Sequence, residues 1–352
     1  MRNMKRIIVL LLAVVLLAAT VSCVADPPVT RPPAEQPNAG NDSDGSGNGG
    51  TSGANQTPSL NSVEVGAEVK QKVTEDREGN PITLPDKIDR IISMGPSNTE
   101  IIAALGFADR IIAADEYSDN IAGLNPGIPK FSMMQPDGEQ IISLMPDVIF
   151  VTGMSKAGGD EPFKVVSDVG ICLIYMPSST SLDAIMEDIR FVAAVLGAQA
   201  EGEAIVEEME REIDIVRAIG DKITDKKSVY FEISAAPWMY SFGSGVFLHE
   251  MIGLIGAVNI FEDQDSWISV ADEVVLAADP DVILTSVNYI ENPIEEIKSR
   301  PGWGGITAVS NGDIYFIDTD ASNRPSHNVV IALLEMAKAV YPEQYKVLGV
   351  RG

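Results

Sequence analysis

The stretch "AQAEGEAIVEEMEREIDIVRAIG", residues 198–220, decides how the rest of the chain is arranged. Ile205, Met209, Ile213 and Val216 recur at helical spacing along one stripe, with acidic residues crowding the opposite side, so the segment is one amphipathic helix. From Ala198 to Ile219 such a helix is about 33 Å long. A helix of that length with no paired strand is a strut between two lobes rather than another crossover.

Both flanks support that division. Before the strut, "RIISM", "RIIAA", "DVIFV" and "CLIYM" have the character of buried strands, and "SNTEIIAAL", "GEQIISLM" and "SLDAIMEDIRFVAAVLG" that of helices. After it come the strands "SVYFEI", "DVILT" and "DIYFI" and the helices "GVFLHEMIGLIG" and "NVVIALLEMAKAVY". Alternation of this kind implies mostly parallel sheets with helical crossovers. The expected fold is therefore α/β, two lobes joined by one long backbone helix, with a cleft between them. A short hairpin around Gly79 and Asn80 precedes the first lobe.

The N-terminus is of another kind. Arg2, Lys5 and Arg6 precede the apolar run Ile7 to Ala19, too short to span a membrane comfortably but suited to a signal-peptide core. It closes in "TVSC", where Ser22 directly precedes Cys23, as a lipoprotein cleavage site requires, although Thr20 stands where leucine is usual. From Val24 to about Ser62 the chain is rich in Pro, Gly, Ser and Asn and forms a flexible tether. Its "GSGNGG" fits a phosphate-loop spelling, but no strand precedes it and no helix follows. The expected organisation is a signal peptide over 1–22, a lipidated Cys23 and linker over 23–66, an N-terminal lobe over 67–197, the backbone helix over 198–222 and a C-terminal lobe over 223–352.

Composition narrows the function. Of 352 residues 45% are hydrophobic, enough for a substantial core, and the formal net charge of −26 disfavours nucleic acid as a partner. Two cysteines and two histidines, Cys23, Cys172, His249 and His327, are too few for a disulfide framework or a histidine-rich metal site. Neither G-x-S-x-G nor H-E-x-x-H occurs, so no hydrolase motif is present.

Two features point to a binding function. In "GPSNTEIIAALG", Ser97 is placed to cap a helix and Glu100 to complete a capping box, which is either no more than a well-capped helix or a gathering of backbone amides at the carboxyl end of a strand, where open α/β sheets receive ligands. In the repeat "EQIISLMPDVIF" and "EVVLAADPDVIL", Glu139 and Glu273 each stand seven residues before Pro-Asp-Val-Ile. They either complement two helix dipoles or present one acid per lobe to a basic partner.

The ordered set "RIISMGPSNTEIIAALG", "ADEYSD", "GEQIISLMPDVIF", "GVFLHEMIGLIGAVNIF", "SWISVADEVVLAADPDVIL" and "RPSHNVVIAL" resembles the substrate-binding proteins of ABC importers for vitamin B12 and ferric siderophores. The resemblance covers about Val69 to Tyr345, and the B12-binding branch matches best. It implies no enzyme activity and no resident cofactor, but a monomeric, membrane-tethered receptor for a cobalt corrinoid or an iron chelate, served by an ABC permease and its ATPase. It also implies that Glu139 and Glu273 meet the permease. Pro96, Ser97, Asn98 and Thr99, with Trp267, would touch ligand; Tyr117, Arg324 and Trp238 would border the cleft. Trp267, Tyr117, Ser97 and Asn98 are the aromatic and hydrogen-bonding types that a broad corrin with apolar faces and an amide rim needs. The chain departs from that branch in the first lobe, where Phe131, Met133, Met134 and Met154 stand near segments that carry aromatics in the relatives.

Overall fold

The computed structural model of the chain describes residues 73–156 and 162–348, so the signal segment, Cys23 and the whole linker fall outside the described residues. The N-terminal lobe runs β1 (Ile91–Met94), α1 (Pro96–Ala104), β2 (Ile111–Asp115), β3 (Lys130–Phe131), α2 (Gly138–Ser143), β4 (Val148–Thr152), α3 (Lys164–Asp168) and β5 (Cys172–Met176). Its five strands are all parallel in the order β3-β2-β1-β4-β5. The central strands β1, β2 and β4 are mostly apolar and buried because both sheet faces are covered. Val148 and Phe150 of β4 turn towards the larger core, and Ile149 and Val151 pack with Ile141, Phe163 and Val166 on the other side.

Helix α4 (Leu182–Leu196) starts where the Ser181 hydroxyl accepts the Ala184 N–H at 3.1 Å, and it stops at Gly197, whose φ of 74° is left-handed. Two residues later begins the backbone helix α5 (Gln199–Gly220), 22 residues and so about 33 Å. Its buried seam is Gly202, Val206, Met209, Ile213, Val216 and Gly220, and Ile205, expected in the stripe, is only half-buried at its margin. The seam ends in glycine at both extremities for want of space. A β-carbon on Gly202 would lie 2.4 Å from the Ala193 β-carbon, and one on Gly220 would lie 2.1 Å from the Leu254 carbonyl oxygen. Close approach of α4 and of the C-terminal lobe thus holds the two ends of the strut.

The C-terminal lobe contains β6 (Ser228–Glu232), β7 (Tyr240–Phe242), α6 (Phe247–Leu254), β8 (Val258–Asn259), β9 (Trp267–Ser269), α7 (Asp272–Ala278), β10 (Val282–Thr285), α8 (Pro293–Ser299), α9 (Thr307–Asn311), β11 (Ile314–Phe316), α10 (Thr319–Asn323) and α11 (Val329–Val340). Four strands form a parallel sheet in the order β11-β10-β6-β8, and β7 and β9 form a separate antiparallel ribbon. Strands β3, β7, β8 and β9 have two or three residues each, too few for a periodic signal, and only the structure reveals them. The hairpin expected near Gly79 is a single bridge, Glu75 to Pro81. The Asp76 carboxylate organises it by accepting the Glu78 and Asn80 amides at 3.0 and 2.8 Å.

The internal repeat has a structural basis beyond its glutamates. Met145 and Asp279, each just before its proline, are both left-handed, with φ of 46° and 43°, and so end α2 and α7 in the same way. The aspartate after each proline anchors the neighbouring strand. Asp147 accepts the Asp89 and Arg90 amides, both at 2.8 Å, and Asp281 accepts the Ser228 amide at 2.7 Å.

Candidate functional site

Chain direction defines one crevice in each lobe. From β1 the chain runs outward through β2 and β3, then returns to add β4 and β5 on the other side. In the second lobe β8 lies on one side of β6, while β10 and β11 lie on the other. Strand order therefore reverses between β1 and β4 and between β6 and β10, and ligands bind beyond the carboxyl ends of strands at such points. A hollow of about 440 Å³ lined by Ile219, Lys222 and Gln344 lies near the amino end of β6, on the wrong edge for that role.

At the first crevice the sequence expectation needs correction. Ser97 is not the cap of α1: Gly95 is the N-cap without a side-chain bond, and Pro96 takes the first helical position, where its missing N–H costs nothing. Thr99 is turned inward. Its hydroxyl lies 2.7 Å from the Ser93 hydroxyl, 3.1 Å from the Gly95 carbonyl and 3.2 Å from Ser118 Oγ, and the residue is fully buried, so it offers no surface to a ligand in this conformation. Ser118 in turn donates to the buried Asp115 carboxylate, which also accepts the Tyr117 amide at 2.8 Å. Burial pushes the Asp115 carboxyl up, against the pull of these donors and of Lys130. Pro96 and Ser97 remain half-open. Asn98 is buried, yet its amide nitrogen has no hydrogen-bond partner. Such a donor costs stability until an acceptor reaches it.

Glu100, the expected partner of Ser97, bridges the lobes instead. It is 6% exposed and accepts from Arg324 Nη1 at 2.8 Å, Ser326 Oγ at 2.5 Å and Asn328 Nδ2 at 3.0 Å. Arg324 further donates to the Tyr117 carbonyl at 3.0 Å and pairs with Asp320 at 2.9 Å. Tyr117 and Arg324 thus meet, but through a backbone carbonyl and a guanidinium that is already neutralised. Between Ser326 and Asn328 lies His327, whose Nδ1 is buried without a partner. Burial holds its imidazole below the usual histidine range, and Glu100 opposes that shift. An unfolded histidine takes its proton as pH falls through about 6.5, while the folded one resists until lower pH, so the stability that His327 contributes falls with acidification across that window. We expect the denaturant midpoint to drop between pH 7.5 and 5.5, and the drop to shrink in His327→Asn; equal drops in both proteins would refute the assignment.

In the second lobe the ribbon and loops carry aromatics. Trp267 lies on β9, 38% exposed and edge-on to Phe242 with centroids 6.0 Å apart. Trp238, in the loop from β6 to β7, is 69% exposed. Phe131 and Met133, near segments aromatic in the B12-binding branch, belong to the interior of the first lobe. Glu139 and Glu273 are exposed, each the second residue of its helix, α2 and α7, so the repeat places them at matching positions of the two lobes.

Residues 91–321 match the periplasmic binding protein family, and the chain belongs to it. It is a substrate-binding transport protein and not an enzyme. Among its relatives is the Bacillus subtilis ABC transporter substrate-binding lipoprotein YvrC, 27% identical over 284 residues, 79% of this chain and 88% of that protein. The vitamin B12-binding protein of Vibrio cholerae is 26% identical over 256 residues, 72% of this chain and 89% of its own length. The structure of the periplasmic haem-binding protein RhuT from Roseiflexus superposes with a TM-score of 0.65 at 25% identity, over 73% of this chain and all of the other.

Proposed function

We propose that this protein, held to the outer face of the cell membrane by a lipid on Cys23, captures a corrinoid between its lobes and delivers it to an ABC permease. Pro96, Ser97 and Asn98 of the first lobe and Trp267 and Trp238 of the second would contact the ligand, with Tyr117 and Arg324 bordering the cleft. The observation that carries the reading is the combination of exposed tryptophans with a spent cation. Trp267 and Trp238 are exposed aromatics, whereas Arg324 is already neutralised by Glu100 and Asp320. A plate with apolar faces and an amide rim suits that chemistry, and the unpartnered Asn98 amide supplies a donor for the rim. A net charge of −26 also opposes capture of an anion. The names of the Vibrio and Bacillus relatives support the corrinoid and the lipid anchor respectively. The similarity to a haem-binding protein favours iron chelates as a second reading.

The test is a titration of protein beginning after Cys23 with cyanocobalamin, cobinamide, haem and ferric siderophores, followed by tryptophan fluorescence and ligand absorbance. One-to-one corrinoid binding, weakened about tenfold or more in Trp267→Ala, is the expected result. Binding of iron chelates alone would overturn the corrinoid and leave the receptor role.

A further inference from the structure

Tyr289 stands in the loop between β10 and α8, and its side chain is oriented against the usual pattern. Tyrosine ordinarily buries its ring and leaves its hydroxyl in water. Here the hydroxyl is held within the protein, accepting the Ala235 N–H at 2.8 Å and lying 3.1 Å from Ser234 Oγ, while the residue remains 39% exposed. The bond ties the loop after β10 to the loop after β6, across the second crevice where strand order reverses. A ring pinned by its polar tip cannot swing away, so it forms a preorganised aromatic surface.

The same loop is fastened to the element that carries the bridge between the lobes. The carbonyl of Ser286, at the start of the same loop, accepts the Thr319 hydroxyl at 2.6 Å, and Asn323 lies within 3.3 Å of the Ser286 hydroxyl. Thr319 and Asn323 are the ends of α10, which runs directly into Arg324 and its bridge to Glu100. Trp238, three residues beyond Ala235, belongs to the second of the two tied loops and is widely exposed. No cation of the described residues among these contacts is left without an acid, since Arg324 is paired twice. An exposed, fixed ring beside neutral hydrogen-bonding groups selects a flat, weakly charged ring system.

We infer that Tyr289 is a specificity-determining wall of the ligand site, stacking its ring on the face of a plate-shaped macrocycle. The inference rests on the interlobe site described under the proposed function but not on the metal or the macrocycle bound there. Parent protein, Tyr289→Ala and Tyr289→Phe are titrated with cobinamide, cyanocobalamin, haem and ferrioxamine, with melting temperatures measured in parallel. For whichever macrocycle the parent binds, Tyr289→Ala should weaken binding about tenfold and reduce the shift of the ligand's visible band, while Tyr289→Phe, which keeps the ring, should stay within about threefold of the parent. Unchanged affinity in Tyr289→Ala, or an equal loss in both variants, overturns the inference while leaving the receptor reading intact. Haem binding that depends on Tyr289 would uphold the wall and overturn the corrinoid. A parent that binds none of the macrocycles would overturn both.

Discussion

Glu100→Ala is expected to destabilise the protein by about 3–5 kcal/mol, the range for removing one member of a buried ion pair. Glu100 and Arg324 expose only 6% and 11% of their side chains, and the carboxylate accepts three bonds from residues more than 220 positions away. Without it, Arg324 keeps Asp320 and the Tyr117 carbonyl, but Ser326 and Asn328 lose an acceptor. For a protein of this size the melting temperature should fall by roughly 5–9 °C. Glu100→Met combined with Arg324→Met should recover part of the loss, because no charge is then left buried and unpaired. If Glu100→Ala melts within about 1 °C of the parent, the bridge does not hold the lobes. Because the bridge joins α1 to the segment after α10, the same variant tests whether it sets the spacing of the lobes, through X-ray scattering of the ligand-free protein.

Converting Glu139 and Glu273 together to alanine should abolish ligand uptake by the reconstituted transporter while leaving ligand affinity within about twofold. Both acids are exposed, and both begin short helices built alike by the repeat. Neither lies at the strand ends where the crevices form, so their loss should not disturb capture. The resemblance implies that both acids meet a cationic permease surface; truncating one member of a desolvated charge pair costs about 2–5 kcal/mol, so on that reading the double variant should weaken docking about 100-fold or more. Each single variant should give an intermediate defect. A fall in ligand affinity, or normal uptake by the double variant, would remove the docking role.

Much of the architecture is legible in the amino-acid sequence. The strut and the Pro-Asp-Val-Ile repeat carry patterns of ten or more residues, and the strands, only four or five residues each, are legible as short apolar runs alternating with helical stretches. Short elements are not legible in this way. The ribbon that carries Trp267 consists of two three-residue strands, and nothing local distinguishes it from a loop. The repeat stands out for its glutamates, whereas Asp147 and Asp281, in the same words of sequence, are the residues that fasten β1 and β6. Nothing in the sequence around Tyr289 marks it, because the inversion of its side chain depends on Ala235 and Ser234, more than 50 positions away.

Glu100 illustrates the boundary most directly. Three residues after Ser97 it has the spelling of a capping box, and local chemistry alone supports that reading. Tertiary structure assigns it instead to Arg324, Ser326 and Asn328, since Pro96 already begins the helix and a carboxylate buried between lobes must find its donors wherever the chain brings them. By itself the sequence determined the α/β class, the two lobes and the helix that joins them, because burial patterns within one element are written in consecutive residues. Only the folded chain decided which polar groups spend their hydrogen bonds on one another, because that choice is made by partners hundreds of residues apart competing for the same atoms.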